Sequence, residues 1–140
     1  MHLKILLSTC MFFVACTERD VLNIEPNIML TSPNNSFVAR AYIDMWGGSA
    51  GGVDYVITIQ SESEQADISK NIIFKTSKEG EICMDWIDEE NIKISTLISK
   101  KITIKEKSIR LNNKNIQIGY SSKMNSSTCM GVQGFEAKRI

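Results

Sequence analysis

The sequence predicts a mainly β protein, one small domain of antiparallel strands folded as a curved sheet or a sandwich over residues 36–140. Three observations predict it. From Phe37 onward apolar residues alternate with polar ones at period two, the rhythm of a strand with one buried face. Isoleucine dominates the apolar positions of the later segments, and β-branched side chains suit a pleated, half-buried surface. No stretch sustains a helical period, and only residues 62–68 have the makings of one or two helical turns.

Taken in chain order, residues 16–35 read as a tether, punctuated by Pro26, Pro33 and several asparagines, with a short apolar group at 28–30 able to dock on the domain. In FVARAYID, Phe37, Ala39, Ala41 and Ile43 share one face, while Val38, Arg40, Tyr42 and Asp44 share the other. In VDYVITIQ, Val53, Tyr55, Ile57 and Ile59 form the matching apolar row. The glycine-dense MWGGSAGG between them makes the pair a long-armed hairpin with a flexible tip. Further strands are expected at 71–75, 82–87, 92–97, 101–105, 108–111 and 116–120. Asn112, Asn113, Lys114 and Asn115 form the turn between the last two, because asparagine tolerates left-handed backbone angles. The polar tail, 121–140, carries Cys129, which would pin it back.

The first twenty residues, MHLKILLSTCMFFVACTERD, read as an export signal. Lys4 gives the positive start. Residues 5–14 form an apolar run shorter than the ~20 residues that span a membrane, and Glu18, Arg19 and Asp20 end it. The segment FVAC resembles a bacterial lipobox, whose small residues before the cysteine admit a dedicated peptidase once the sulfur carries diacylglycerol; Phe13 stands where that family usually has Leu. The resemblance implies a signal peptide at 1–15, lipid on Cys16 and an anchor in the cell envelope. Thr17 is not the Asp associated with inner-membrane retention in such lipoproteins, so in a two-membrane cell the expected address is the outer membrane, facing the periplasm. Cleavage after Ala15 as a plain secretory signal fits poorly with Phe13, and a cut after Cys16 is the other alternative.

Processing at Cys16 would discard Cys10 and leave Cys83 and Cys129 as the only thiols of the folded domain. In an oxidising compartment two thiols point to one bridge, with two unpaired buried thiols as the alternative and a metal site a distant third, since there is no CxxC. The single histidine, His2, leaves with the signal. A mature chain without imidazole cannot run a Ser-His-Asp or Cys-His mechanism or present histidine to zinc. Paired carboxylates, a Ser-Lys arrangement or no catalysis remain, and no cofactor or metal is expected.

Cleavage would leave 125 of the 140 residues, enough for one core and too few for two domains. Loss of Lys4 from 16 basic residues against 16 acidic puts the mature chain near a charge of minus one, with no field to draw it to nucleic acid or anionic lipid. The charges do segregate. Glu79, Glu81, Asp85, Asp88, Glu89 and Glu90 precede a basic run of Lys93, Lys100, Lys101, Lys105, Lys107, Arg110 and Lys114. Glu81 and Asp85 fall on one strand face with Cys83 between them, a solvated face more readily than an acid-base pair. DWIDEEN lacks the aspartate rhythm and glycine of a calcium loop. The lysines read as guards of exposed strand edges, with binding to anionic surface polymers as their functional counterpart.

WGGSAGG fails as a phosphate loop, because no Lys-Ser or Lys-Thr follows and no helix begins there. Trp46 among four glycines reads first as packed against the sheet, with an exposed contact anchor as the alternative. SPNNSFVARAYI, at 32–43, and WIDEENIKIS, at 86–95, together with the Gly-rich hairpin, are similar to a family of small bacterial lipoproteins carrying a β-propeller-blade-like domain of unknown function. The resemblance spans about residues 32–120, rests on structural turns, and implies a curved antiparallel sheet without catalytic residues. A propeller needs at least four blades of four strands, so a second layer must cover the sheet.

These readings leave three classes. The first is an envelope lipoprotein, held by its lipid, whose non-enzymatic module binds or blocks another protein, in its sharpest form an inhibitor or immunity protein. Trp46, Asp44 and Arg40 are its candidate contact residues. The second is a structural or accessory subunit of an envelope complex. The third is a carboxylate-dependent enzyme acting on wall glycans.

Overall fold

The computed structural model of the protein describes residues 24–77, 80–98, 101–124 and 128–130. Among them are ten strands: β1 (Ile28–Thr31), β2 (Phe37–Trp46), β3 (Gly52–Ser61), β4 (Ile72–Thr76), β5 (Ile82–Trp86), β6 (Asn91–Thr96), β7 (Ile102–Lys105), β8 (Ser108–Leu111), β9 (Lys114–Ser121) and β10 (Cys129–Met130). They form two five-stranded sheets, β1-β2-β3-β4-β7 and β10-β5-β6-β9-β8, so the protein is mainly β and the expected second layer is a second sheet.

Period-two patterning builds the interface between the sheets. β2 and β3 pair without interruption from Phe37↔Ser61 to Trp46↔Gly52, and Ala39↔Ile59, Ala41↔Ile57 and Ile43↔Tyr55 line up on the inner face. The second sheet answers with Ile82, Met84, Ile92, Ile94, Ile116 and Ile118, all buried. Alanines at 39 and 41 leave room for the isoleucines opposite, as a close-packed core requires. Burying each isoleucine is worth about 1.5–3 kcal/mol.

Long-range polar contacts join the layers. The Trp86 indole donates to Leu30 O at 2.8 Å and ties β5 to β1. On the other side the chain leaves β7 in the first sheet and enters β8 in the second. There Glu106 N donates to Ile73 O (2.9 Å), Ile118 N donates to Lys107 O (2.9 Å), and Tyr120 Oη reaches both Ile73 O and Glu106 O. Lys105 Nζ lies 4.6 Å above the Tyr120 ring. β7 and β8 are the terminal strands of their sheets, the position where lysine blunts an edge.

Three expectations need correction. The segment 28–30, read as part of a tether, is in β1, antiparallel to β2 with Ile28↔Ala41 and Thr31↔Val38. The sheets are not wholly antiparallel, because β6 and β9 run parallel from Asn91↔Gln117 to Ser95↔Ser121. Residues 62–68 form turns and coil, not helix. Their backbone is claimed by side chains of the sheet: Gln60 Nε2 donates to Asp67 O (2.9 Å) and Arg40 Nη2 to Glu64 O (3.3 Å).

Candidate functional site

The β2–β3 hairpin outreaches its sheet. β1 begins opposite Ala41, with Asn27 Oδ1 accepting from Ile43 N at 2.7 Å, and β4 ends at Thr76 opposite Tyr55. Residues 44–54 therefore have no third strand beside them among the described residues, and they project as a two-stranded arm about 10 Å long.

The arm ends in a tight turn. Gly47 takes φ +80°, residues Gly48–Ala50 form a single 3₁₀ turn, and a Cβ on Gly51 would run into the Trp46 carbonyl oxygen. A side chain at either glycine would force this turn open. Trp46 lies across Gly52, where a Cβ would sit 2.7 Å from its Cζ2 and 3.1 Å from Cε2 and Cη2. Its indole lies near enough to the Asp54 carboxylate to help hold that carboxyl low. The ring is thus seated, yet 48% of the residue is exposed, and Met45 beside it is 71% exposed. Trp46 answers both sequence readings: one ring face is packed and the other is free. An open cleft of about 320 Å³ is lined by Met45, Trp46, Gly51, Gly52 and Val53.

Asp54 anchors this arrangement. Burial pushes its carboxyl up, but the Ser77 hydroxyl (2.6 Å), the Lys75 ammonium (3.0 Å) and the Trp46 indole together hold it below the usual 3.8. Asp44 is paired directly across from it. Asp54 went unnoticed in the sequence because its place beside Trp46 depends on the hairpin register, which the length of the tip sets.

Trp46 and Asp44 come together on the outer face of the arm, two residues apart. Arg40 does not join them. It is six residues down the strand and only 4% exposed, with Nη1 donating to Gln60 Oε1 at 2.7 Å and Nη2 to Glu64 O. The segment after β3 folds back over this part of the sheet, so an outward position there is covered, and Arg40 is a packing residue.

Cys83 and Cys129 form a disulfide across β5 and β10, in register with a Cα–Cα distance of 4.0 Å. Hydrogen bonding from Met84 N to Thr128 O (3.0 Å) beside the pair leaves the two cysteines in a narrow site of the ladder, where side chains approach most closely. Glu81 brings a carboxylate within 4.8 Å of the two sulfurs. Bonded to each other, those sulfurs are not thiolates and do not make a metal site. Glu81 and Asp85 flank Cys83 as expected, Asp85 in register with Lys93. Asp88 accepts from Glu90 N and Asn91 Nδ2, first of which holds its carboxyl below the usual range, so this carboxylate shapes the β5–β6 turn. Glu90 meets Lys114 at 3.5 Å, which brings the acidic and basic runs together. The expected signal peptide, Cys16, Thr17, Glu79 and Lys100 lie outside the described residues.

No family model, curated protein or solved structure matches the chain. The functional reading rests on the arm itself.

Proposed function

We propose that the protein is an envelope lipoprotein, anchored through Cys16, whose β domain is a non-enzymatic module that grips another protein with the arm formed by residues 44–54. The observation that carries this reading is the seated, half-exposed Trp46 beside Met45 at the tip of a strand pair that outreaches its sheet. Interfaces draw most of their energy from a few aromatic and arginine anchors, and a ring held before binding loses little freedom on contact. The lipobox-like FVAC and the disulfide support an oxidising, extracytoplasmic setting. An inhibitor or immunity protein is the most specific form of this activity, since such a protein needs one protruding anchor and no catalytic groups.

Photo-crosslinking in living cells tests it. A photoreactive residue at Met45 should capture a discrete partner, the same residue at Arg110 on β8 should not, and Trp46→Ala should abolish the Met45 product. Equal products from both positions, or a Met45 product indifferent to Trp46→Ala, would refute the arm as the binding element. Membrane release of Cys16→Ser tests the anchor, and unchanged attachment would count against it.

A further inference from the structure

We propose that the outer face of the arm receives a basic side chain, arginine or lysine, from the partner, with Trp46 supplying a π face and Asp44 the opposing charge; this deepens the binding reading above and rests on it. Two features of the arm point to a cation. The first is the orientation of the indole. With one face laid on Gly52, the ring offers its other face outward, and the negative potential of a tryptophan face attracts guanidinium and ammonium groups more than any other side chain does.

The second is charge. Asp44 and Asp54 are direct cross-strand partners, an arrangement of like charges that disfavours the hairpin unless each is compensated. Lys75 at 3.0 Å and Ser77 at 2.6 Å satisfy Asp54. Asp44 has no ion pair and no side-chain hydrogen bond among the described residues, so the outer face of the arm keeps one unit of negative charge. Alternation places Asp44 and Trp46 on that face about 7 Å apart, a span that one guanidinium bridges while lying over the ring. An anionic group would meet Asp44 head on, and a purely apolar one would strip water from its carboxylate without replacing the lost hydrogen bonds.

The test is a titration of the full chain, ¹⁵N-labelled and held in zwitterionic detergent, with the blocked dipeptide acetyl-Arg-Arg-amide, read at the two tryptophan indole N–H signals. The control is the same dipeptide with citrulline, which keeps the shape and loses the charge. The Trp46 signal should shift saturably with the arginine peptide while that of Trp86, bonded to Leu30 O, stays in place. The citrulline peptide should produce no saturable shift. Asp44→Asn should weaken binding about two- to fivefold, the range expected for one exposed ion pair, and Asp44→Glu should restore it, which separates loss of charge from loss of folding. A response without saturation, an equal response to citrulline, or an Asp44→Asn variant that binds as well as wild type would overturn the proposal. A specific Met45 crosslink alongside any of those results would leave the arm as the binding element and remove only the basic partner.

Discussion

Breaking the Cys83–Cys129 bridge is expected to remove about 4 kcal/mol of stability. The two cysteines are 46 residues apart in sequence, and in the chain-entropy model a loop of that length restricts the unfolded chain by roughly 4 kcal/mol. That is a large share of the ~5–15 kcal/mol typical of a domain, and it corresponds to a drop of roughly 15 °C or more in melting temperature for a chain of this size. Urea unfolding followed by circular dichroism, with and without reductant, measures it. Reduced wild type is the better comparison than Cys83→Ala, because Cys83 is fully buried and its truncation adds a packing loss of about 1 kcal/mol. Hydrogen exchange gives an independent readout: the Met84 amide, which donates to Thr128 O, should lose protection once β10 is released. Oxidised and reduced forms within 1 kcal/mol of each other would refute the argument, and two reactive thiols in exported protein would refute the bridge itself.

The glycines of the arm should separate sharply. Gly51→Ala drives a methyl into the Trp46 carbonyl and should cost more than about 2 kcal/mol, whereas Gly52→Ala meets only the movable indole and should leave stability within about 1 kcal/mol while raising the solvent exposure of Trp46 measured by fluorescence quenching. Acid unfolding should depend on Asp54. Its carboxyl lies below the unfolded 3.8, so its contribution is fully present above that value and is lost as pH falls through the folded pKa; Asp54→Asn should flatten the stability curve in that window, and an unchanged acid limb would show the ion pair to be inert. At the β8–β9 turn, Asn112 and Asn113 hold φ of 48° and 64°, so replacing both with alanine should cost about 2 kcal/mol in urea unfolding, whereas Asn113→Gly should be neutral or slightly stabilising.

Local chemistry made most of the strands legible. The β8–β9 turn was written in its asparagines, which take the left-handed angles of a two-residue hairpin with Leu111↔Lys114 closing it. β2 and β3 followed from alternation, and the strands from β4 to β9 fall close to where isoleucine and turn residues put them. What escaped was set by distant partners. β1 is too short and too proline-flanked to show a period, and it is a strand because β2 offers an edge and Trp86 caps Leu30. β10 is two residues held by the disulfide. The parallel β6–β9 pair cannot be read from segments that show only their own faces. At the site, Trp46 and its neighbour Asp44 stand out from composition and alternation, but the sequence favours burial of Trp46, and its half-exposure is set by the fold of the tip. Asp54 needed the register, and the burial of Arg40 needed the path of residues 62–70.

The path of the chain between β6 and β9 has a consequence for folding. These parallel neighbours are joined by a stretch that first crosses to the other layer as β7, turns the corner at Glu106 and Lys107, and only then returns as β8. The second sheet therefore cannot close until the chain has visited the first, and neither sheet can peel away without pulling β7 or β8 from its ladder. The two layers should appear and melt in one cooperative step, slowly by the standards of small domains because the decisive pairings are remote in sequence. A fragment cut between β6 and β7 should hold neither layer, which makes the arm inseparable from the whole domain that carries it.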